Sequence, residues 1–191
     1  MWSDSRLNPG GRPSPSSLLK YSVWQKTFPL AFYKSQEAAG SELPHAPAAW
    51  ENKKVLISLS NKESQKDQVL MIGKTLKDLG FTLVGTQGTA DFYNANGIKC
   101  EVVNKIGGGR PNVVDLIMNK EVCLVINTPK AKRNYAEDRK TIRKVCLKYK
   151  VSYITTLAGA VAAVKGIESV KNGNGGEGGV KSLQEYHALI K

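Results

Sequence analysis

Three stretches of this chain carry residue types suited to holding an anion. Gly85-Thr86-Gln87-Gly88-Thr89-Ala90 sets two threonines among glycines. Glycines let backbone N–H groups turn toward negative charge, and threonine hydroxyls donate alongside them. A helix starting here would add the partial positive charge of its N-terminus. The same residues also suit a tight turn into a helix with Thr89 as N-cap, so the motif alone leaves both readings open. Asn104-Lys105-Ile106-Gly107-Gly108-Gly109-Arg110-Pro111 is a triple-glycine loop between cations, and Asn127-Thr128-Pro129 leads into Lys130, Lys132 and Arg133. No acid occurs within these loops. Together they point to a phosphate pocket built from Thr86, Gly88, Thr89, Lys105, Asn127 and Thr128. Arg110, Lys130 and Arg133 serve as rim charges, which solvent largely screens.

Catalysis asks for more. A nucleophile needs a base within reach, and proton transfer needs a carboxylate or imidazole at the site. Ser58 and Ser60 have no histidine near them in sequence, and His187 sits in the tail. Asp91 and Asp115 fall inside expected helices, where amphipathic patterning points acids to solvent. The pocket is therefore expected to bind, with no catalytic residue, no metal and no cofactor.

For the three stretches to converge, three strands must end side by side. Val55–Leu59 is a short apolar run between polar residues, the mark of a buried strand. Val69, Ile72, Leu76 and Leu79 then recur at helical spacing over Ser64–Leu79, and Gly80 supplies the stop. Further strands are expected at Phe81–Val84, Glu101–Val103, Cys123–Ile126 and Ser152–Ile154. Helices are expected at Thr89–Asn96, Asn112–Met118 and Ala136–Tyr149. Strands alternating with helices give an α/β fold, a parallel sheet with helices on both faces. In such sheets ligands gather at the carboxyl ends of the strands, where these loops lie.

Outside this rhythm the chain divides simply. Residues 1–27 are basic, rich in Ser, Gly and Pro, and aperiodic, and they read as a disordered leader; organellar targeting is the weaker alternative. Residues 28–49 combine a short helix over Phe28–Gly40 with a Pro- and Ala-rich linker. Residues 50–191 form the domain, with a flexible Asn172–Gly179 run and a last helix over Ser182–Ile190.

The bulk numbers narrow the partner. The 191 residues hold 28 Lys and Arg against 16 acids, a formal charge of +12, which draws anions. Nucleic acid is disfavoured because only 7% of residues are aromatic and no Lys/Arg run exceeds two. Cys100, Cys123 and Cys146 are far apart, with no CxxC, which argues against a disulfide framework or metal site and for the cytoplasm. The most apolar run, Tyr153–Val164, is shorter than the roughly 20 residues a membrane span needs.

These residues also carry a resemblance. KVLISLSNKESQKDQVLMIGKTLKDLGFTLVGTQGTADFYNANGI, VVNKIGGGRPNVVDLI, LVINTP, IRK, YITTLAGAVAAV and the closing SLQEYHALIK resemble the methylglyoxal-synthase-like (MGS-like) domain ending the carbamoyl-phosphate synthase large subunit. Phe28–Gly40 is similar to the helix at the end of the second synthetase unit before that domain. The resemblance implies a Rossmann-like sheet and an allosteric site for nucleotide effectors of the UMP or IMP type, in pyrimidine and arginine biosynthesis. It places Lys66, Thr86, Thr89, Lys105 and Asn127 at effector-binding positions, and Thr155 beside an ornithine site. Pro129 departs from relatives with a second threonine there. The ATP-grasp body that such a subunit would carry does not appear in the sequence, so a regulatory fragment or separately encoded piece is expected. Its implied partners are the catalytic domains and the glutaminase small subunit. The alternative is a methylglyoxal synthase-like phosphate lyase, whose carboxylate base follows a glycine pair. Here Arg110 follows Gly108-Gly109, and SLSN lacks the family's early Asp.

Overall fold

A computed structural model describes residues 28–44, 53–60, 64–128, 136–172 and 188. Five strands form one parallel sheet: β1 Lys54–Leu59, β2 Thr82–Thr86, β3 Cys100–Val103, β4 Val122–Thr128 and β5 Ser152–Ile154. Among the described residues six helices accompany them: α1 Phe28–Ala38, α2 Lys66–Asp78, α3 Gln87–Ala95, α4 Val113–Met118, α5 Ala136–Tyr149 and α6 Leu157–Lys171.

The sheet order is β3-β2-β1-β4-β5. The chain works outward from β1 to β3, then returns across to β4 and β5. Side chains alternate faces along a strand, and both faces here are apolar. Val55, Ile57 and Leu59 join Leu83, Leu124 and Ile126 in one cluster, which takes residues from α1, α2, α3 and α6. Leu56, Val84 and Val125 turn the other way, into a cluster with Val113, Leu116 and Ile117 of α4 and Cys146 of α5. The doubly covered sheet expected from the alternation of elements is present.

Helix α6 was not anticipated. Its sequence, LAGAVAAVKGIESVK, is apolar almost throughout, and Ala160, Ala162, Ala163, Val164, Gly166 and Ile167 are all buried. A helix covered on most sides shows no polar stripe for periodicity to detect. Its start is marked only by Thr156, whose hydroxyl accepts the N–H of Gly159 at 3.1 Å.

Helix α1 lies against α6. A side chain at Gly166 would meet the Pro29 carbonyl oxygen at 2.7 Å and Tyr33 Cβ at 3.0 Å, so the two backbones touch because position 166 has no Cβ. Beyond α1 the chain stays docked, since Ser152 Oγ donates to the Glu42 carbonyl at 2.6 Å. The leader, residues 45–52, the run from 173 and the expected helix over 182–190, Ala188 apart, lie outside the described residues. Among the described residues no helix is long and apolar enough to cross a membrane.

Candidate functional site

The order in which the chain adds strands reverses between β1 and β4, and the crevice outside the carboxyl ends at such a point is where open α/β sheets bind ligands. A cavity of about 230 Å³ opens there. Its floor is apolar, made by Leu56 and Val125 from the sheet with Val113 of α4 and Ile142 of α5. Its upper wall is polar. Ser58 and Asn127 follow those floor residues two positions on and share their face of the sheet, as the two-residue period requires.

Of the expected pocket residues, Thr86, Gly88, Thr89, Lys105, Asn127 and Thr128 all line this cavity. Helix α3 begins at Gln87, two residues earlier than expected, with Thr86 at its N-cap making no side-chain cap bond. The reading of Thr89 as N-cap therefore fails: it sits in the first turn, buried, and its hydroxyl accepts the N–H of Leu59 at 3.3 Å. That bond ties the head of α3 to the end of β1 and leaves the hydroxyl proton free to donate. Thr86, Gly88 and Thr89 put the head of this helix on the cavity wall, with the partial positive charge of its N-terminus.

Thr128 is fixed in a similar way. Its Oγ1 accepts the Ser60 N–H at 3.0 Å, joining the ends of β1 and β4. Lys105 stands at the start of a loop closed at its base, where Val113 N–H donates to the Asn104 carbonyl at 3.1 Å. Asn104 Nδ2 also reaches the Pro111 carbonyl at 3.2 Å. Asn127 is 8% exposed, and its Nδ2 donates to the Tyr153 phenol oxygen at 3.2 Å. Burial raises the Tyr153 phenol above its ordinary value, opposed by that hydrogen bond and by Arg143 and Arg139, so it stays protonated near neutrality.

Other expected residues lie elsewhere. Lys66 opens α2 and does not line the cavity. Thr155 is exposed ahead of α6 and is likewise off the wall. The Arg110 side chain is 85% exposed and, among the described residues, its ion pair is with Asp115 at 3.9 Å. Lys130 and Arg133 lie outside the described residues. The two acids noted within helices are engaged: Asp91 accepts from Gln87 Nε2 at 2.7 Å, and Asp115 forms a capping box with Asn112 at the head of α4.

Sequence reasoning missed Ser58, Ser60, Ile106, Asp138, Arg139 and Ile142 on the cavity wall. Asp138 and Arg139 matter most, since they place a carboxylate and a guanidinium on a wall expected to hold no acid. They belong to the first turn of α5, past the strand-end loop that was searched. The signal was there in the spacing, because positions 138, 139 and 142 share one helical face. The three cysteines are buried, which pushes each thiol up to about 12 and leaves them protonated and unreactive near neutrality.

The sequence has known counterparts. Residues 68–155 match the family model described as MGS-like domain. The chain is 44% identical over 160 residues to the carbamoyl phosphate synthase large chain of Archaeoglobus fulgidus, covering 84% of this chain and 14% of that protein. It is 44% identical over 146 residues to the carbamoyl phosphate synthase large chain, C-terminal section, of Methanopyrus kandleri, covering 76% of this chain and 26% of that one. The corresponding C-terminal section of Aquifex aeolicus is 39% identical over 166 residues, 86% of this chain and 29% of that one. The chain thus spans between about a seventh and under a third of the length of these relatives. A doubly covered five-stranded sheet and the matching model agree that residues 68–155 form an MGS-like domain, and the chain is similar to part of carbamoyl phosphate synthase large chains.

Proposed function

We propose that the cavity binds a nucleoside mono- or diphosphate, and that the chain is the effector-sensing domain of a glutamine-dependent carbamoyl phosphate synthase. The observation carrying this reading is the division of the cavity wall. Its lining falls into two sets: hydroxyls, the head of α3, Lys105 and Arg139, beside one carboxylate, Asp138, are polar, and Leu56, Val113, Val125 and Ile142 are apolar. A phosphate suits the first and the flat face of a nucleobase suits the second. At about 230 Å³ the cavity sits just below the range of roughly 300–1,000 Å³ common for small-molecule sites, a size for a mononucleotide and not a dinucleotide.

Binding biases a synthetase only through a coupling free energy between two sites, typically about 1–3 kcal/mol. The second site belongs to the catalytic domains, which this reading makes the chain's partners together with the glutaminase subunit, in the cytoplasm. UMP-like and IMP-like effectors are the candidates that the family resemblance brings forward.

The test is calorimetric titration of the full chain with UMP and IMP, run beside an assay for methylglyoxal from dihydroxyacetone phosphate. Saturable nucleotide binding without product supports the effector role. Product without nucleotide binding would favour the second reading, a phosphate lyase, for which Asp138 supplies a carboxylate on the cavity wall.

Lys105→Ala is expected to weaken nucleotide binding by about 0.5–1 kcal/mol, because the lysine is exposed and solvent screens it. It should also flatten the decline of affinity with salt, since one cation facing the phosphate is gone. Parallel salt slopes for variant and parent would remove Lys105 from the phosphate site.

A further inference from the structure

Helix α5 has two unlike faces. Ile142, Val145, Cys146 and Tyr149 turn inward and pack with the α4 cluster on the sheet. On the opposite side Lys140, Lys144 and Lys148 recur every four residues, with Arg143 and Leu147 beside them at the same spacing. All five are exposed, and Leu147, 70% exposed, sits among the cations. From Lys140 to Lys148 the row runs about 12 Å, at 1.5 Å per residue.

No interaction among the described residues accounts for this face. Both acids of α5, Glu137 and Asp138, sit in its first turn, and none follows before the helix ends. Lys140 meets Glu137 at 2.9 Å, but among the described residues Arg143, Lys144 and Lys148 join no ion pair. Like charges four positions apart on a helix repel, so the row works against the helix's own stability. A lone exposed leucine is ordinary, and so is an exposed lysine. An apolar side chain inside a charged border is the make-up of a contact between proteins.

The charges select the partner. A formal charge of +12 makes a second copy of this chain repulsive, so the face calls for an acidic surface. A nucleic-acid backbone would satisfy the lysines but set Leu147 against phosphates. An acidic protein face can serve both, with carboxylates around an apolar notch.

We propose that the outer face of α5 docks an acidic protein surface, with Lys140, Lys144 and Lys148 pairing its carboxylates and Leu147 seated between them. The proposal does not depend on what the cavity binds. The same helix places Asp138, Arg139 and Ile142 on the cavity wall, so a partner outside and a ligand inside would share one rigid element.

The experiment titrates the full chain into two labelled peptides of equal length and charge, one of Glu and Leu, the other of Glu and Ser. Fluorescence anisotropy reads the binding, and a DNA duplex and phosphatidylserine vesicles are titrated in parallel. The parent should prefer the Glu/Leu peptide by about tenfold, the effect of burying most of one leucine. Lys140→Gln, Lys144→Gln and Lys148→Gln together should weaken that binding about tenfold, as three exposed pairs are lost. Lys74→Gln, Lys77→Gln and Lys165→Gln remove the same charge from exposed positions elsewhere and should change it by less than about twofold. Leu147→Ser should erase the preference between the peptides. The α5 triple variant should melt no lower than the parent, because it relieves repulsion. Equal losses from the two triple variants would make the attraction diffuse and overturn the docking face. A leucine preference that survives Leu147→Ser overturns it too, as does a lower Tm in the α5 triple variant, which would make the lysines structural. Failure to bind either peptide, or tighter binding to the duplex or the vesicles, rules out the acidic protein partner.

Discussion

Thr89→Val should lose nucleotide affinity and stability together, because one hydroxyl serves both. Its oxygen accepts the Leu59 N–H at 3.3 Å, deep in the protein, and valine leaves that donor without a partner. An orphaned buried donor costs about 1–3 kcal/mol of folding free energy. The hydroxyl proton is the part left for a ligand, and a bond to an anionic phosphate contributes about 1.5–3 kcal/mol, roughly ten- to 150-fold in Kd. Urea unfolding and titration with UMP and IMP would read the two losses separately. Thr89→Ser keeps the hydroxyl and should recover most of both. A destabilised valine variant with unchanged affinity would make Thr89 a strut between α3 and β1 and nothing more.

The second large effect lies in the core, where Gly73 of α2 faces Tyr93 of α3. A Cβ at position 73 would overlap Tyr93 Cε1 and crowd the ring along one edge. The ring has nowhere to go: Tyr93 is fully buried, and its hydroxyl donates to the Val69 carbonyl at 2.9 Å. Gly73→Ala should therefore destabilise by about 1–3 kcal/mol, although alanine is the better helix former by about 1 kcal/mol. Tyr93→Ala removes the ring and should cost about 3–5 kcal/mol by leaving a cavity. In that background the sign reverses, and Gly73→Ala should stabilise, since only its helix preference remains. A double-mutant cycle by denaturant unfolding measures the coupling, and additivity would mean that the ring yields easily in the parent.

What could be read in the residues, and what could not, follows from how each signal arises. Strand β1 was legible because its apolar run is short and bounded, and α2 because Val69, Ile72, Leu76 and Leu79 repeat at helical spacing. Helix α6 was invisible because burial on most sides erases the periodicity that marks a half-buried helix. The cavity was legible where glycine, threonine and lysine cluster in strand-end loops. It was not legible where the wall passes into a helix, so Asp138, Arg139 and Ile142 went unnoticed. The pairing of Tyr153 with Asn127 escaped for a different reason: it depends on the register between β4 and β5, and a tyrosine in a short strand otherwise reads as packing.

The contact between α1 and α6 has a consequence for synthesis. The two helices lie at opposite ends of the described chain, separated by some 120 residues. At ribosomal rates of about 5–20 residues per second, α1 emerges roughly 6–25 s before α6 exists to receive it. For that interval Leu30 and Tyr33, both buried in the finished fold, have no surface to cover. Among the described residues this contact closes late, an early-made helix waiting for one made some 120 residues on, and a newborn chain stalled before residue 157 would present that apolar face to chaperones and to its neighbours on the polysome.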